Sequence, residues 1–319
     1  MFETIRVTPQ EYLNLVPDRR VFFNEPTFTE LNKDKTDDVH YLIIKKENSL
    51  RFGLILGEIG QQARIPFSAP YAYPVPINSN TKIDSYDESL KSLEKYCVGN
   101  KISEIRFVFP PFFYDEDILT AWTSAMYRSG YKPLNIDINY RLDLTELYDG
   151  NYEKHITSNA RNHLKKAIKS GIRIINCETE EDQKKAYNII VENHKSKNRP
   201  TRMSFEQLLD TCKLTNHWFF LATIEEKPIA SMIYYQITKD IVQCIYSGYL
   251  LNYSNSGVMN YLTSYTVNFF GAKNYKFIDR AIATEDSIPN YGLCEFKESV
   301  GGKRSLKYSF IKYFGEDIS

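Results

Sequence analysis

Three apolar, β-rich runs follow one another in the second half of the chain: His217–Thr223, Ile229–Thr238 and Ile241–Leu250. Only the short polar turns Glu225 to Pro228 and Lys239-Asp240 separate them. Links that short leave room for hairpins and exclude crossover helices, so the runs predict an antiparallel meander. A meander of this kind buries one face, and the partner must come from helices. The flanking sequence supplies them: Tyr152–Ser170, stopped by Gly171, and Glu180–His194 before it, then Ser256–Phe270, stopped by Gly271, after it. Ile172–Cys177 and Tyr275–Ile278 read as further strands. The second half is therefore α+β, a sheet flanked by helices.

The first half repeats the theme loosely. Thr8 to Val16 predicts a helix with Thr8 as N-cap and Pro9 in its first turn. Tyr41–Lys46 and Arg51–Glu58 read as a hairpin, and four prolines between Ile65 and Pro76 exclude a helix or central strand there. Helix Ser85–Val98, strand Glu104–Phe109, helix Asp115–Arg128 and strand Asn135–Leu144 follow. Two structural repeats are expected despite the absence of a sequence repeat. The turn at Asp149-Gly150-Asn151 sets the expected domains at 1–148 and 149–319.

Composition narrows the partners. The 319 residues include 24 tyrosines and 19 phenylalanines, enough aromatic surface to fill cores and line pockets. Forty basic residues balance forty acidic ones, so nucleic acid or an anionic membrane could be met only by a local patch. Five dispersed cysteines without a CxxC pair argue against a disulfide framework or zinc site and for a reducing compartment. The five histidines are scattered and suggest no metal site. The N-terminus lacks the basic-then-apolar order of a signal peptide, and no apolar run is long enough to span a bilayer. The expected location is cytoplasmic. HExxH, GxSxG, Walker and GxGxxG patterns are all absent.

Four constellations could carry chemistry, and each has a plainer reading. Tyr246 to Asn260 runs from a strand into a Ser/Asn/Gly loop that opens a helix; Ser256 and Gly257 would let backbone N–H groups approach a phosphate, or simply cap the helix. Arg161, Lys165 and Lys169 share one helix face, which suits an anionic partner or solvent alone. The basic loop from Asn193 to Ser204, holding Lys197 and Arg199, is a binding loop or a linker, with Ser204 set to cap the next helix. The run Asn290-Tyr-Gly-Leu-Cys-Glu-Phe-Lys297 to Gly301-Gly302 is a family marker or a hairpin with an exposed lysine.

Taken together these segments resemble the FemAB-like (acetyltransferase-domain-6) branch of the GNAT acyltransferases. The resemblance rests on Ser68 to Tyr71, Phe109 to Tyr114, Ser129-Gly-Tyr131, Asn159 to Gly171, Glu192-Asn193 with Lys197 to Ser204, Lys276 to Asp279, and Asn290 to Lys297 through Gly302. It implies tandem GNAT folds, a degenerate first and a second that keeps the donor site. It also implies an acyl-CoA cosubstrate and an amine acceptor: a small molecule, or a lipid- or nucleotide-linked amino-sugar or cell-surface precursor. In place of the family's Q/R-x-x-G-x-G/A pyrophosphate loop stands Asn252 to Gly257, and Arg280 to Thr284 follows Asp279 where relatives often have Gly and Ser. The roles expected from it are direct acyl transfer without an acyl-enzyme, an oxyanion held by backbone N–H groups along Tyr246–Tyr249, Asp279 as base or site organiser, and Tyr249 as general acid. Arg161, Lys197, Arg199, Ser256, Gly257, Asn290 and Lys297 would contact donor or substrate, with no metal. Cys244 reads as packing rather than as a nucleophile. Two alternatives stay open: an aminoacyl-tRNA-dependent transferase acting on a cell-wall precursor, which requires Arg161, Lys165, Lys169, Lys197, Arg199 and Arg202 to form one basic surface, and a non-catalytic binding protein that has lost the donor site.

Overall fold

The computed structural model describes residues 1–18, 20–78 and 81–315. The chain forms two compact units, residues 1–138 with the stretch from Ser305 onward, and Asn139–Arg304.

The first unit opens with a strand that sequence patterning does not single out, β1 (Phe2–Val7), followed by α1 (Pro9–Leu15) and α2 (Pro26–Leu31). Helix α1 begins as expected: Thr8 accepts from the Glu11 N–H and the Glu11 carboxylate reaches back to the Thr8 N–H, a capping box. Strands β2 (Asp38–Lys46), β3 (Ser49–Ile59), β4 (Gln62–Ile65) and β5 (Val75–Pro76) precede α3 (Ile83–Gly99), β6 (Glu104–Val108) and α4 (Glu116–Arg128). The core beneath the helices is aromatic. Trp122 of α4 lies with its ring 4.7 Å from Phe52 and 4.8 Å from Tyr86, and its indole N–H donates to the Pro74 carbonyl at 2.9 Å. That bond uses a carbonyl in the proline-rich segment, whose prolines cannot donate to a ladder.

Strand β7 (Lys132–Asp143) leads into the second unit, which holds α5 (Leu144–Leu147), α6 (Ser158–Lys169), β8 (Arg173–Asn176), α7 (Glu180–Ser196) and α8 (Phe205–Cys212). The meander follows as β9 (His217–Ile224), β10 (Lys227–Gln236) and β11 (Ile241–Tyr249), then α9 (Val258–Ala272), β12 (Phe277–Ile282), the small pair β13 (Thr284–Glu285) and β14 (Ile288–Pro289), and α10 (Tyr291–Ser299). The sheet order is β7-β12-β11-β10-β9-β8. Pairing is antiparallel except between β11 and β12, which run parallel because α9 crosses over between them. Trp218, Phe220, Tyr234 and Phe270 pack edge to face at 5.0–5.9 Å and bind α9 to the meander.

Three local expectations change. Helix α6 starts at Ser158, not near Tyr152, because Thr157 caps it by accepting from the Ala160 N–H. The stretch after Asn290 is a helix rather than a hairpin. Asn290 caps α10 through the Leu293 N–H, and the paired glycines close it: Gly301 (φ 88°) donates to Glu298 O and Gly302 donates to Lys297 O. That is a Schellman ending, the use of glycine that the left-handed conformation requires. The last strand, β15 (Lys303–Tyr313), went unread in the sequence; from Ser309 it pairs antiparallel with β6 in the first unit, whose sheet order is β1-β2-β3-β4-β6-β15. No helix among the described residues is long and apolar enough to cross a membrane.

Candidate functional site

The meander continues where its neighbour stops. Strands β11 and β12 pair over only three residues, Ile241 to Gln243 against Phe277 to Asp279. Beyond them β11 runs on to Tyr249, while β12 breaks register between Asp279 and Ile282 and Ala281 takes φ 58°. The two strands part, and the free edge of β11 from Cys244 to Tyr249 faces residues 280–282 across a cavity of about 780 Å³. Alternate backbone groups of an unpaired strand edge point sideways, so this edge offers N–H donors to whatever lies in the gap.

The break in β12 is built, not frayed. Asp279 is fully buried, and its carboxylate accepts from the Ala281 N–H and from Asn139 Nδ2, each at 2.8 Å. From the other side comes Lys297 of α10, which is 5% exposed rather than the exposed lysine of the plainer reading. Its Nζ donates to the carbonyl oxygens of Arg280 at 2.7 Å and of Ala281 and Ile282, each at 2.9 Å. Three successive carbonyls turned toward one amine are incompatible with regular strand alternation, so Lys297 braces β12 in its broken form, which rejoins β7 only at Ile282. Burial, then the neighbouring Arg280, pushes the Lys297 pKa down to about 7, with Asp279 pulling the other way. Arg280 itself reaches Thr263 Oγ1 of α9 at 3.1 Å.

The far end of the cavity is shaped by α7 and the start of α9. Asn193 Nδ2 donates to the Tyr249 carbonyl at 2.7 Å, and a Cβ on Gly248 would stand 2.9 Å from that of Asn193, so glycine permits the close approach. Lys197 lies 4.9 Å above the Tyr249 ring and 3.3 Å from Asn193 Oδ1; burial and the adjacent Arg199 lower its pKa. His194 sets its ring edge-on to Tyr246 at 5.7 Å, its pKa lowered by burial and then by Lys197 and Arg199. Gly257 (φ 77°) precedes α9, and a side chain there would collide with the His163 carbonyl of α6. Ser256 is turned inward to the chain: its hydroxyl donates to Tyr253 O at 2.6 Å and accepts from the Val258 N–H at 3.2 Å.

Of the residues singled out from the sequence, Lys197, Arg199, Tyr249, Gly257, Asn290 and Lys297 line this one cavity. Asp279 lies behind its wall, and Ser256 stands next to the lining Gly257. Arg161 is elsewhere, donating to the carbonyls of Glu153 and Ile156. Lys165, Lys166 and Lys169 border a separate shallow depression on α6, and Lys165 pairs with Glu153 at 3.2 Å. Cys244 touches the cavity, but burial raises its thiol pKa, which leaves little thiolate at neutral pH. Asn139 lies outside every candidate site segment singled out from the sequence, whereas Asn193 and His194 belong to the stretch expected as a basic loop and stand instead in the last turn of α7. Asn139 is brought to Asp279 only by pairing across 140 residues.

No protein-family model matches the sequence, and no curated protein matches it. Solved structures do. FemX superposes with a TM-score of 0.68 at 10% identity, over 98% of this chain and 97% of FemX. The C-terminal domain of a lysylphosphatidylglycerol synthetase from Agrobacterium fabrum gives 0.60 at 11% identity, over 96% and 93%. A tandem GNAT protein from the clavulanic acid biosynthesis pathway gives 0.59 at 7% identity, over 99% and 100%. The fold is thus GNAT-like and related to that of FemX across nearly the whole chain.

Proposed function

We propose that the chain is an N-acyltransferase that moves an acyl group from a CoA thioester to an amine. The parting of β11 from β12 carries this reading. It leaves an open strand edge beside a helix N-terminus, the arrangement a thioester with a phosphate-bearing tail requires. The acyl carbonyl would lie along Tyr246–Tyr249, where backbone N–H groups stabilise the oxygen as it becomes an oxyanion. The amine attacks the carbonyl carbon, a tetrahedral intermediate forms, and its collapse expels the CoA thiolate. The amine's proton leaves to water or to a cavity side chain, and Tyr249, which lines the cavity, would protonate the thiolate. Asp279 acts as a positioning residue, since its carboxylate is buried behind the wall. Gly257, Ser256 and the first turn of α9, with Lys197 and Arg199 nearby, would receive the donor's phosphates. Asn290 and Lys297 shape the opposite wall. The acceptor is proposed to be an amino-sugar or another cell-surface precursor, and the reaction to be cytoplasmic.

A second reading, transfer from an aminoacyl-tRNA ester, is favoured by the likeness to FemX and to the lysylphosphatidylglycerol synthetase. It is weakened by the scattering of the basic residues: Lys165 and Lys169 border a different depression from Lys197 and Arg199, and Arg161 is engaged with backbone carbonyls. A lost donor site would be marked by a filled gap, whereas this one is open. Incubation with acetyl-CoA and a panel of amino-sugars, read as release of free thiol, tests the proposal. Release that depends on an amine and disappears in Tyr249→Ala supports it. Amine-independent hydrolysis, or no release with any amine, counts against it.

A further inference from the structure

The first unit holds a cluster that the cavity chemistry does not use. Strands β2 and β3 pair so that Asp38 faces Glu58, and His40 follows Asp38 by two residues on the same strand face. One carboxylate from each strand and one imidazole therefore converge beneath α3. His40 is 2% exposed. Its Nδ1 lies 3.0 Å from the Tyr96 hydroxyl of α3. Its Nε2 lies 3.0 Å from Glu58 Oε2 and 3.3 Å from Asp38 Oδ2, yet is aligned for a hydrogen bond with neither, and among the described residues it has no hydrogen-bond partner.

A buried imidazole nitrogen facing two carboxylate oxygens can be satisfied by a proton shared with Glu58 or by a cation held between all three groups. We propose that Asp38, His40 and Glu58 form a site for a divalent first-row transition ion of the Zn²⁺ type. The separations fit. Two ligand atoms each about 2.1 Å from an ion stand about 3.0 Å apart at a right angle and about 3.4 Å apart at the tetrahedral angle. The N···O spacings of 3.0 and 3.3 Å fall between those values, and the three ligand atoms all lie within 4.8 Å of one another. The donor set selects the class, because imidazole favours Zn²⁺ and its neighbours over Mg²⁺ or Ca²⁺. A supporting shell is present. Tyr96 meets the other ring nitrogen, and Arg6 grips Asp38 with Nη2 2.7 Å from Oδ1 and Nη1 2.9 Å from Oδ2. Two carboxylates and one guanidinium leave one net negative charge beside a neutral imidazole, which suits a cation. The Asp38 side chain is 47% exposed, so an ion can enter and water can complete its coordination.

Sequence spacing hides the set, since Asp38 and Glu58 lie twenty positions apart on two strands and meet only through hairpin register.

The full chain, stripped with a chelator, is titrated with Co²⁺ and followed by visible absorption and by the paramagnetic shift of histidine ring protons. The expected result is one ion per chain, with the His40 ring shifted and the other four histidines unmoved. Glu58→Gln and Asp38→Asn, both at partly exposed side chains, should each weaken binding at least about tenfold while circular dichroism stays unchanged. No Co²⁺ uptake at about 1 mM, uptake without a His40 shift, or equal uptake in both variants overturns the proposal.

Discussion

Lys297 shows how one side chain can fix a site. An ammonium has three N–H bonds, and here three carbonyls receive them. A neutral amine has only two, so deprotonation loosens the hold on β12. The folded pKa of about 7 lies below the ordinary 10.5, so between those values the unfolded chain binds more protons than the folded one. Stability should therefore rise with pH across that window, by an upper bound of about 4–5 kcal/mol. Urea denaturation of wild type and Lys297→Met at a series of pH values checks this: the rise belongs to wild type, and the variant's curve should be flatter. Gly257 makes a second residue-scale case. Its left-handed φ and the adjacent His163 carbonyl leave no room for a side chain, so Gly257→Ala should cost about 1–3 kcal/mol by thermal unfolding. If Lys197 holds the donor's tail, as proposed, Lys197→Ala should raise the KM for acyl-CoA and leave kcat close to wild type.

Helix α10 carries the lesson at the scale of elements. Asn290→Ala removes its cap and should lower stability by about 1 kcal/mol, measurable as a shift in the denaturation midpoint. The same nine-residue helix brings Lys297 to the bulge, so that small loss should also appear in activity. Its ends were legible: an Asn cap and a Gly-Gly stop are local chemistry. They predict a turn because the span between them, with Gly292 near its start, has no strong helical periodicity. The meander was legible for the opposite reason, since its apolar runs and two tight turns admit one arrangement. The parting of β11 from β12 was not. It depends on a carboxylate, an amine and an amide that reach one bulge from positions 279, 297 and 139. No sequence window contains all three. Strand β1 is hard to read because Glu3 and Arg6 break its alternation, whereas β15 does alternate, with Leu306, Tyr308 and Phe310 on one face, but lies between charged ends.

For the whole molecule, the GNAT-like expectation raised by scattered motifs is met by structural likeness over almost the full length at 7–11% identity. Identity that low keeps a sheet order and loses the residues by which families are recognised. The second unit alone contains every residue that lines the cavity. The proposed activity stands or falls on whether the gap beside β11 receives an acyl-CoA. Isothermal titration calorimetry of acetyl-CoA into wild type and Ser247→Trp tests it most directly, because Ser247 is exposed on the cavity wall and a tryptophan there would fill the gap. One site per chain with a Kd below about 100 µM is expected in wild type, and binding lost in a variant whose Tm is unchanged. No binding to wild type at about 1 mM, or equal binding to both proteins, would contradict it.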